Sequence, residues 1–205
     1  MRLYLLRHGE TDWNAERRTQ GQSDVELNDT GRHQALEMAQ ALKSAPLAAI
    51  YSSPLKRAYL TATVIAAEHG LPVQVLPGLM ELNQGELDGL LPEEMRQRHD
   101  HILRRWNAGA TSLKLPGGES MDELQKRGWD AIQEIYGQHP ADEVAVVGHN
   151  LANLSIMCAA IGLPLAVFQR LHQDTGSLSV IEINGGRNTL LRFNDVSFSQ
   201  HSNRA

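Results

Sequence analysis

Short apolar runs alternate with stretches of helical periodicity along most of this chain, and that alternation leaves few folds open. Residues 2–6 read as a buried strand that ends at Arg7-His8-Gly9. Asn28-Asp29-Thr30 offers helix caps, and Ala35, Met38, Ala39 and Leu42 recur behind it at helical spacing until Pro46 closes the helix. Ala48-Ala49-Ile50-Tyr51-Ser52 is a second strand. Pro54 suits the first turn of a helix that runs to about His69, and Gly70 suits its end. Val73-Gln74-Val75-Leu76 is a short strand, and Val144-Ala145-Val146-Val147 is the most apolar one. The latter runs into Gly148-His149-Asn150 and an apolar helix over 151–161. Two last strands, Leu178–Ile183 and Thr189–Phe193, flank Asn184-Gly185-Gly186-Arg187-Asn188, a hairpin signal. The pattern predicts an α/β fold: a mostly parallel central sheet with helices on both faces, and one antiparallel element near the C-terminus.

Between the third strand and the most apolar one the pattern loosens. Residues 77–90 are loop-like, with Gly78, Gly85 and Gly89. Pro92 to about Asn107 reads as a strongly charged helix, and residues 108–119 as a second glycine-containing loop. Ser120-x-x-Glu123 is a capping box that opens a helix to about Tyr136. A length of 205 residues suits one domain, and no linker rich in Gly, Pro or Ser divides it. Residues 1–196 are therefore expected to form a single domain with an insertion at about 86–119, and Ser197–Ala205 a frayed polar tail.

Composition narrows the classes. The chain is 41% hydrophobic and 21% charged, which is ordinary for a globular protein. A net charge of −5 and a pI near 6.0 lack the basic surplus of a nucleic-acid binder. The longest apolar-rich stretch, 151–168, is broken by Asn153, Gly162 and Pro164, so no membrane span is expected. The apolar run at the start is too short for a signal peptide. Cys158, the single cysteine, lies in an apolar segment and reads as a core thiol, with no intramolecular disulfide available. The cytoplasm is the default location.

In open α/β sheets ligands bind beyond the carboxyl ends of the strands. Three such ends carry cations or potential cations: Arg7-His8, the stretch Ser52-Ser53-Pro54-Leu55-Lys56-Arg57, and Gly148-His149. The loop after Val75-Leu76 brings Glu81 to the same rim. Arginine forks and histidine donors suit a phosphate dianion. Histidine is also a competent nucleophile toward phosphorus, and a carboxylic acid can protonate the departing oxygen. Gly9 would let backbone approach the phosphate. Taken singly, each residue has a bland role: a satisfied histidine, a solvated Arg57, a solubilising Glu81. Spacing alone leaves those readings open beside phosphoryl transfer.

The run Leu6-Arg7-His8-Gly9-Glu10-Thr11-Asp12-Trp13-Asn14 resembles the signature of the histidine phosphatase, or phosphoglycerate mutase-like, superfamily. The resemblance continues through Gln20-Gly21, Leu27-Asn28-Asp29-Thr30-Gly31, Gln34-Ala35, Tyr51 to Ala58, and Thr61-Ala62. It ends with Glu81-Leu82, Pro116-Gly117-Gly118-Glu119-Ser120 and Val146-Val147-Gly148-His149, all in family order. It implies that His8 becomes phosphohistidine, that Arg7, Arg57 and His149 hold the phosphate, and that Glu81 serves as acid and then base. Asn14 would bond a phosphate oxygen, Thr11, Gln20 and Gly21 would line the entrance, and Asn150 would add a donor at a helix N-terminus. It further implies a small phosphorylated substrate and no metal or other cofactor, and it leaves room for a homodimer.

The chain departs from the family pattern at Asn83, at Glu86-Leu87-Asp88-Gly89, at Leu60 and at Asn150. The changes near Glu81 and His149 lie where the leaving group should sit. Phosphatases and mutases share the phosphohistidine; mutases resemble longer chains that cover the site, so this length favours hydrolysis. Arg104-Arg105 is the candidate for a second acidic group, with a solvated helix face as its alternative. A phosphate-binding protein without catalysis would be expected to lack His8 or Glu81. No Gly-x-Ser-x-Gly elbow or phosphate loop of the Gly-x4-Gly-Lys type appears, and His99-Asp100-His101 has the wrong spacing to share a helix face.

Overall fold

The apolar runs build one six-stranded sheet. In this computed structural model, which describes residues 1–199, the elements in chain order begin with β1 (Arg2–Arg7), α1 (Asp12–Ala15), α2 (Asp29–Leu42), β2 (Leu47–Ser52), α3 (Lys56–His69) and β3 (Val73–Val75). They continue with α4 (Pro92–Asn107), α5 (Met121–Gln138), β4 (Glu143–Gly148), α6 (Asn150–Ile161), β5 (Leu178–Glu182) and β6 (Thr189–Asp195). The strand order is β3-β2-β4-β1-β5-β6. β4 is central and parallel to both β1 and β2, and β3 adds parallel to β2. β5 is antiparallel to both of its neighbours, so it alone points the other way.

Period-two alternation divides the central strands between two cores. Leu3, Leu5, Val144 and Val146 pack with Ile132 and Ile135 of α5 and Ile156 and Met157 of α6. Leu6, Ala145 and Val147 pack on the other face with Met38 of α2 and Ala58, Ala62 and Ile65 of α3. A parallel strand covered on both faces has to be apolar throughout, which is why 144–147 carries no alternation.

Parallel pairing gathers the carboxyl ends of β1, β2, β3 and β4 at one rim. The turn before β5 closes on the same rim: the Arg7 N–H donates to the Ser177 carbonyl, and the Gly176 N–H to the His8 carbonyl. The segment over 86–119 crosses above it and builds a third core. There Leu87, Ile102, Leu113 and Leu115 meet Leu82, Leu124 and Ala152.

The structure adds elements that spacing did not signal. α1 is one turn, closed by a reciprocal Thr11–Asn14 capping box. Short 3-10 turns occupy Pro77–Leu79, Gly85–Leu87 and Leu165–Arg170. α4 leaves helical geometry at His99, where φ is −133°. α3 begins at Lys56 rather than at Pro54, with Leu55 as its cap residue. Of the expected tail, Phe198 packs against the second core rather than fraying, and residues 200–205 lie outside the described residues.

Candidate active site

His8, at the end of β1, is buried with a fixed tautomer. Its Nδ1 lies 2.6 Å from the Gly9 carbonyl, which can only accept, so Nδ1 carries the proton and Nε2 keeps its lone pair. The His8 and His149 ring centroids stand 5.2 Å apart. His149, at the cap of α6, places Nε2 at 2.8 Å from Ser53 Oγ. Burial first, then the charges of Arg57 and Arg7, hold the His8 imidazole well below its ordinary value. The same burial, followed by Arg57, His8, Arg7 and Arg127, does so for His149. Both rings are therefore neutral at pH 7.

Arg57 is only 1% exposed, although it sits in the first turn of a helix. Its guanidinium donates to the carbonyls of Ser23 (2.7 Å) and Gly21 (2.8 Å), and Nε donates to His8 Nε2 at 3.3 Å. Burial pulls it down to about 10, which still leaves it charged. Arg7 donates to the Gln173 carbonyl, and burial lowers it as well. Both guanidiniums rest on neutral groups. Arg7 Nε and His149 Nδ1 are buried with no hydrogen-bond partner among the described residues. The Arg7 Nε–H is an orphaned buried donor, which is rare and calls for an acceptor.

Glu81 lies at the N-terminus of α6. Its Oε1 accepts from the N–H groups of Leu82 (2.8 Å) and Ala152 (3.0 Å), and its Oε2 from Leu151 (3.1 Å). The helix terminus that carries Asn150 thus holds the carboxylate through the N–H groups of Leu151 and Ala152. A strut supports the loop below it. Arg127 of α5 donates to the carbonyls of Gly78, Met80 and Glu81 and pairs with Glu119 at 2.6 Å. Glu119 in turn accepts from the Asn83 N–H, and its own N–H donates to the Asn83 carbonyl. Sequence reasoning missed Arg127; it quoted Glu119 only as part of the Pro-Gly-Gly-Glu-Ser run.

A cavity of about 140 Å³ is lined by Arg7, His8, Arg57 and Glu81 together with Asn14, Gln20, Gly21 and Asn150. Thr11 stands behind it; its backbone N–H donates to Asn14 Oδ1 at 3.1 Å and its hydroxyl donates to Gln20 Oε1 at 3.0 Å. With those oxygens committed, the NH₂ ends of the two amides are what remains for an anion. Arg18 and Gln84 also line the cavity, and neither was singled out as a site residue from sequence. The one available signal for Arg18 was its place two residues before Gln20-Gly21. Arg104 and Arg105 line neither this cavity nor its apolar neighbour; both are exposed, and Arg104 pairs with Asp100. The space a Gly9 Cβ would need is filled by the Gly31 carbonyl, 2.3 Å away, so close packing on α2 requires this glycine. Among the described residues no group of three or more His, Cys, Asp or Glu side chains could hold a metal ion.

Comparison with known proteins agrees with this geometry. The family model for the histidine phosphatase superfamily (branch 1) matches residues 3–196. Phosphoserine phosphatase 1 of Hydrogenobacter thermophilus is 36% identical over 194 residues, covering 95% of this chain and 92% of that protein. Phosphoglycerate mutase-like protein 4 of Arabidopsis thaliana is 41% identical over 150 residues, 72% of this chain and 65% of that one. A mycobacterial glucosyl-3-phosphoglycerate phosphatase in complex with VO3 superposes with a TM-score of 0.87 at 31% identity, covering 94% and 98% of the two chains. The chain belongs to the histidine phosphatase superfamily. It is an enzyme of the phosphatase type, and its fold is the one the strand pattern predicted. No described helix is long and apolar enough to cross a membrane.

Proposed function

We propose that the protein hydrolyses small phosphomonoesters through a phosphohistidine formed on His8. The observation that carries this is the pairing of a neutral imidazole, its Nε2 unprotonated, with two guanidiniums, Arg57 buried and Arg7 half-buried, that rest on neutral groups around one cavity. Arg7, Arg57, His149, Asn14 and Gln20 receive the phosphoryl oxygens and stabilise their charge as the bonds change. His8 Nε2 attacks phosphorus, the P–O bond to the alcohol breaks, and Glu81, which enters this step as the neutral acid, gives that oxygen its proton and becomes the carboxylate. The Glu81 carboxylate then takes a proton from water as the water oxygen attacks phosphorus. The P–N bond breaks, inorganic phosphate leaves, and the neutral imidazole returns.

Fixed guanidinium charge does the work of a cation here, so we infer turnover without a metal. The one thiol, on buried Cys158, suits the cytoplasm. Arg104 and Arg105 stand outside the cavity, which leaves a mutase-type second acidic group without the partner expected of them.

Rapid quench with a ³²P-labelled ester tests the proposal. The unaltered protein should trap acid-labile, base-stable label. His8→Ala should trap none and lose about 10⁴-fold or more in turnover. Label trapped in that variant overturns the assignment. Activity abolished by a chelator and restored by Mg²⁺ overturns metal independence.

A further inference from the structure

A second cavity of about 220 Å³ adjoins the first, and Gln84, Asn150 and Leu151 line both. Met95, Ile102, Leu103 and Trp106 of α4 form one wall, and Leu87 and Leu115 from its flanks close it. No residue in this lining is charged, although α4 itself is rich in charge. On either side of the break at His99 the apolar positions turn inward: Met95 before it and Ile102, Leu103 and Trp106 after it line the cavity, while Arg96, Arg98, Arg104 and Arg105 are exposed. An amphipathic helix ordinarily covers its apolar stripe with a neighbour. Here part of that stripe stays open toward the phosphate cavity, with Trp106 held edge-on to Phe168 at 5.3 Å. The two volumes together reach the low end of the roughly 300–1,000 Å³ typical of ligand pockets.

We propose that this second cavity receives the carbon body of the ester, and that the preferred substrates are monophosphates of apolar alcohols rather than of amino or carboxylic acids. This rests on the phosphatase reading above. A carboxylate or ammonium group entering the cavity would leave water for a wall with no charged partner, which is costly. A methylene entering it gains about three- to four-fold in affinity for each CH₂ buried. Met95 adapts to bodies of different shape, because its unbranched side chain changes rotamer easily.

The test is kcat/KM across methyl, propyl, butyl and hexyl phosphate, with phosphoserine and 3-phosphoglycerate beside them and the His8→Ala variant in parallel. All have alkoxide leaving groups, so the chemistry is nearly matched. The expected result is a rise of about three- to four-fold per methylene, with hexyl phosphate above both charged esters by about ten-fold or more. Trp106→Ala and Leu103→Asn should each lower the hexyl-to-methyl ratio by about five-fold or more. His8-dependent turnover with a flat series, with a charged ester at or above hexyl phosphate, or with ratios unmoved in both variants, overturns the apolar assignment and leaves the phosphatase reading standing. No His8-dependent turnover of any ester overturns both.

Discussion

The two adjoining cavities share three residues yet are assembled in opposite ways. The polar one draws its groups from the end of β1, the starts of α3 and α6, the loop at Glu81 and the stretch from Asn14 to Gly21. Its charged groups at the centre are locked by backbone: Arg57 on Gly21 and Ser23, Arg7 on Gln173, Glu81 on the first turn of α6. The apolar one comes mainly from a single inserted segment and is shaped by packing alone. Chemistry that must place charge within tenths of an ångström is spread over the rigid sheet, where no single segment can move it. Under the proposal above, the leaving group is selected by a helix that packs on α5 and α6 through one core cluster.

That contrast breaks first at Glu81. Glu81→Gln should cost about 10²–10⁴-fold on alkyl phosphates and much less on aryl phosphates, whose phenolate leaves without a proton. Equal losses on both, in steady-state assays, would remove the acid role. Arg127 sharpens the contrast without touching substrate. Arg127→Met should lower kcat by about 10²-fold for every ester alike, because the Glu81 loop loses three carbonyl contacts, while KM stays within about two-fold. A loss that depends on the ester's carbon body would place Arg127 with the leaving-group cavity instead.

The smallest difference is one of stability. His8 and His149 are harder to protonate folded than unfolded, so the unfolded chain binds more protons below its ordinary histidine value. Their contribution is complete above about pH 6.5 and falls as pH drops below it, approaching about 1.4 kcal/mol per histidine for each pH unit. Denaturant unfolding at pH 7 and pH 5.5 should show this loss, and His149→Gln should remove about half of it. An unchanged slope would mean that the rings are protonated in the native chain. The apolar cavity has no titrating group, so substitutions such as Leu103→Asn should leave the slope alone.

Much of the polar cavity was legible because topology alone brings parallel strand ends together. Arg7, His8 and His149 follow from that rule. Arg57 does not: an arginine in a first helical turn reads as solvated, and its burial depends on two carbonyls in a loop without periodic signal. Its place after the second strand put it among the candidates, and the family resemblance separated it from a solvated helix residue. Arg127 stayed hidden for the same reason, since its partners are three loop carbonyls. Gly9 was legible as a necessary glycine but not for its cause, which lies on α2. At Arg104-Arg105 the alternative of a solvated helix face was the legible one. Ile102 and Trp106 fix the inner face of α4 by helical spacing, and both arginines fall off it.

The double link between Asn83 and Glu119 has a wider consequence. It pins the two mouths of the intervening stretch side by side, and Arg127 anchors that junction to α5. Residues 84–118 thereby leave and rejoin the domain at one fastened junction, while Asp88, Gly89 and Leu90 tie the same stretch to the loop at 18–22 whose Gly21 carbonyl holds Arg57.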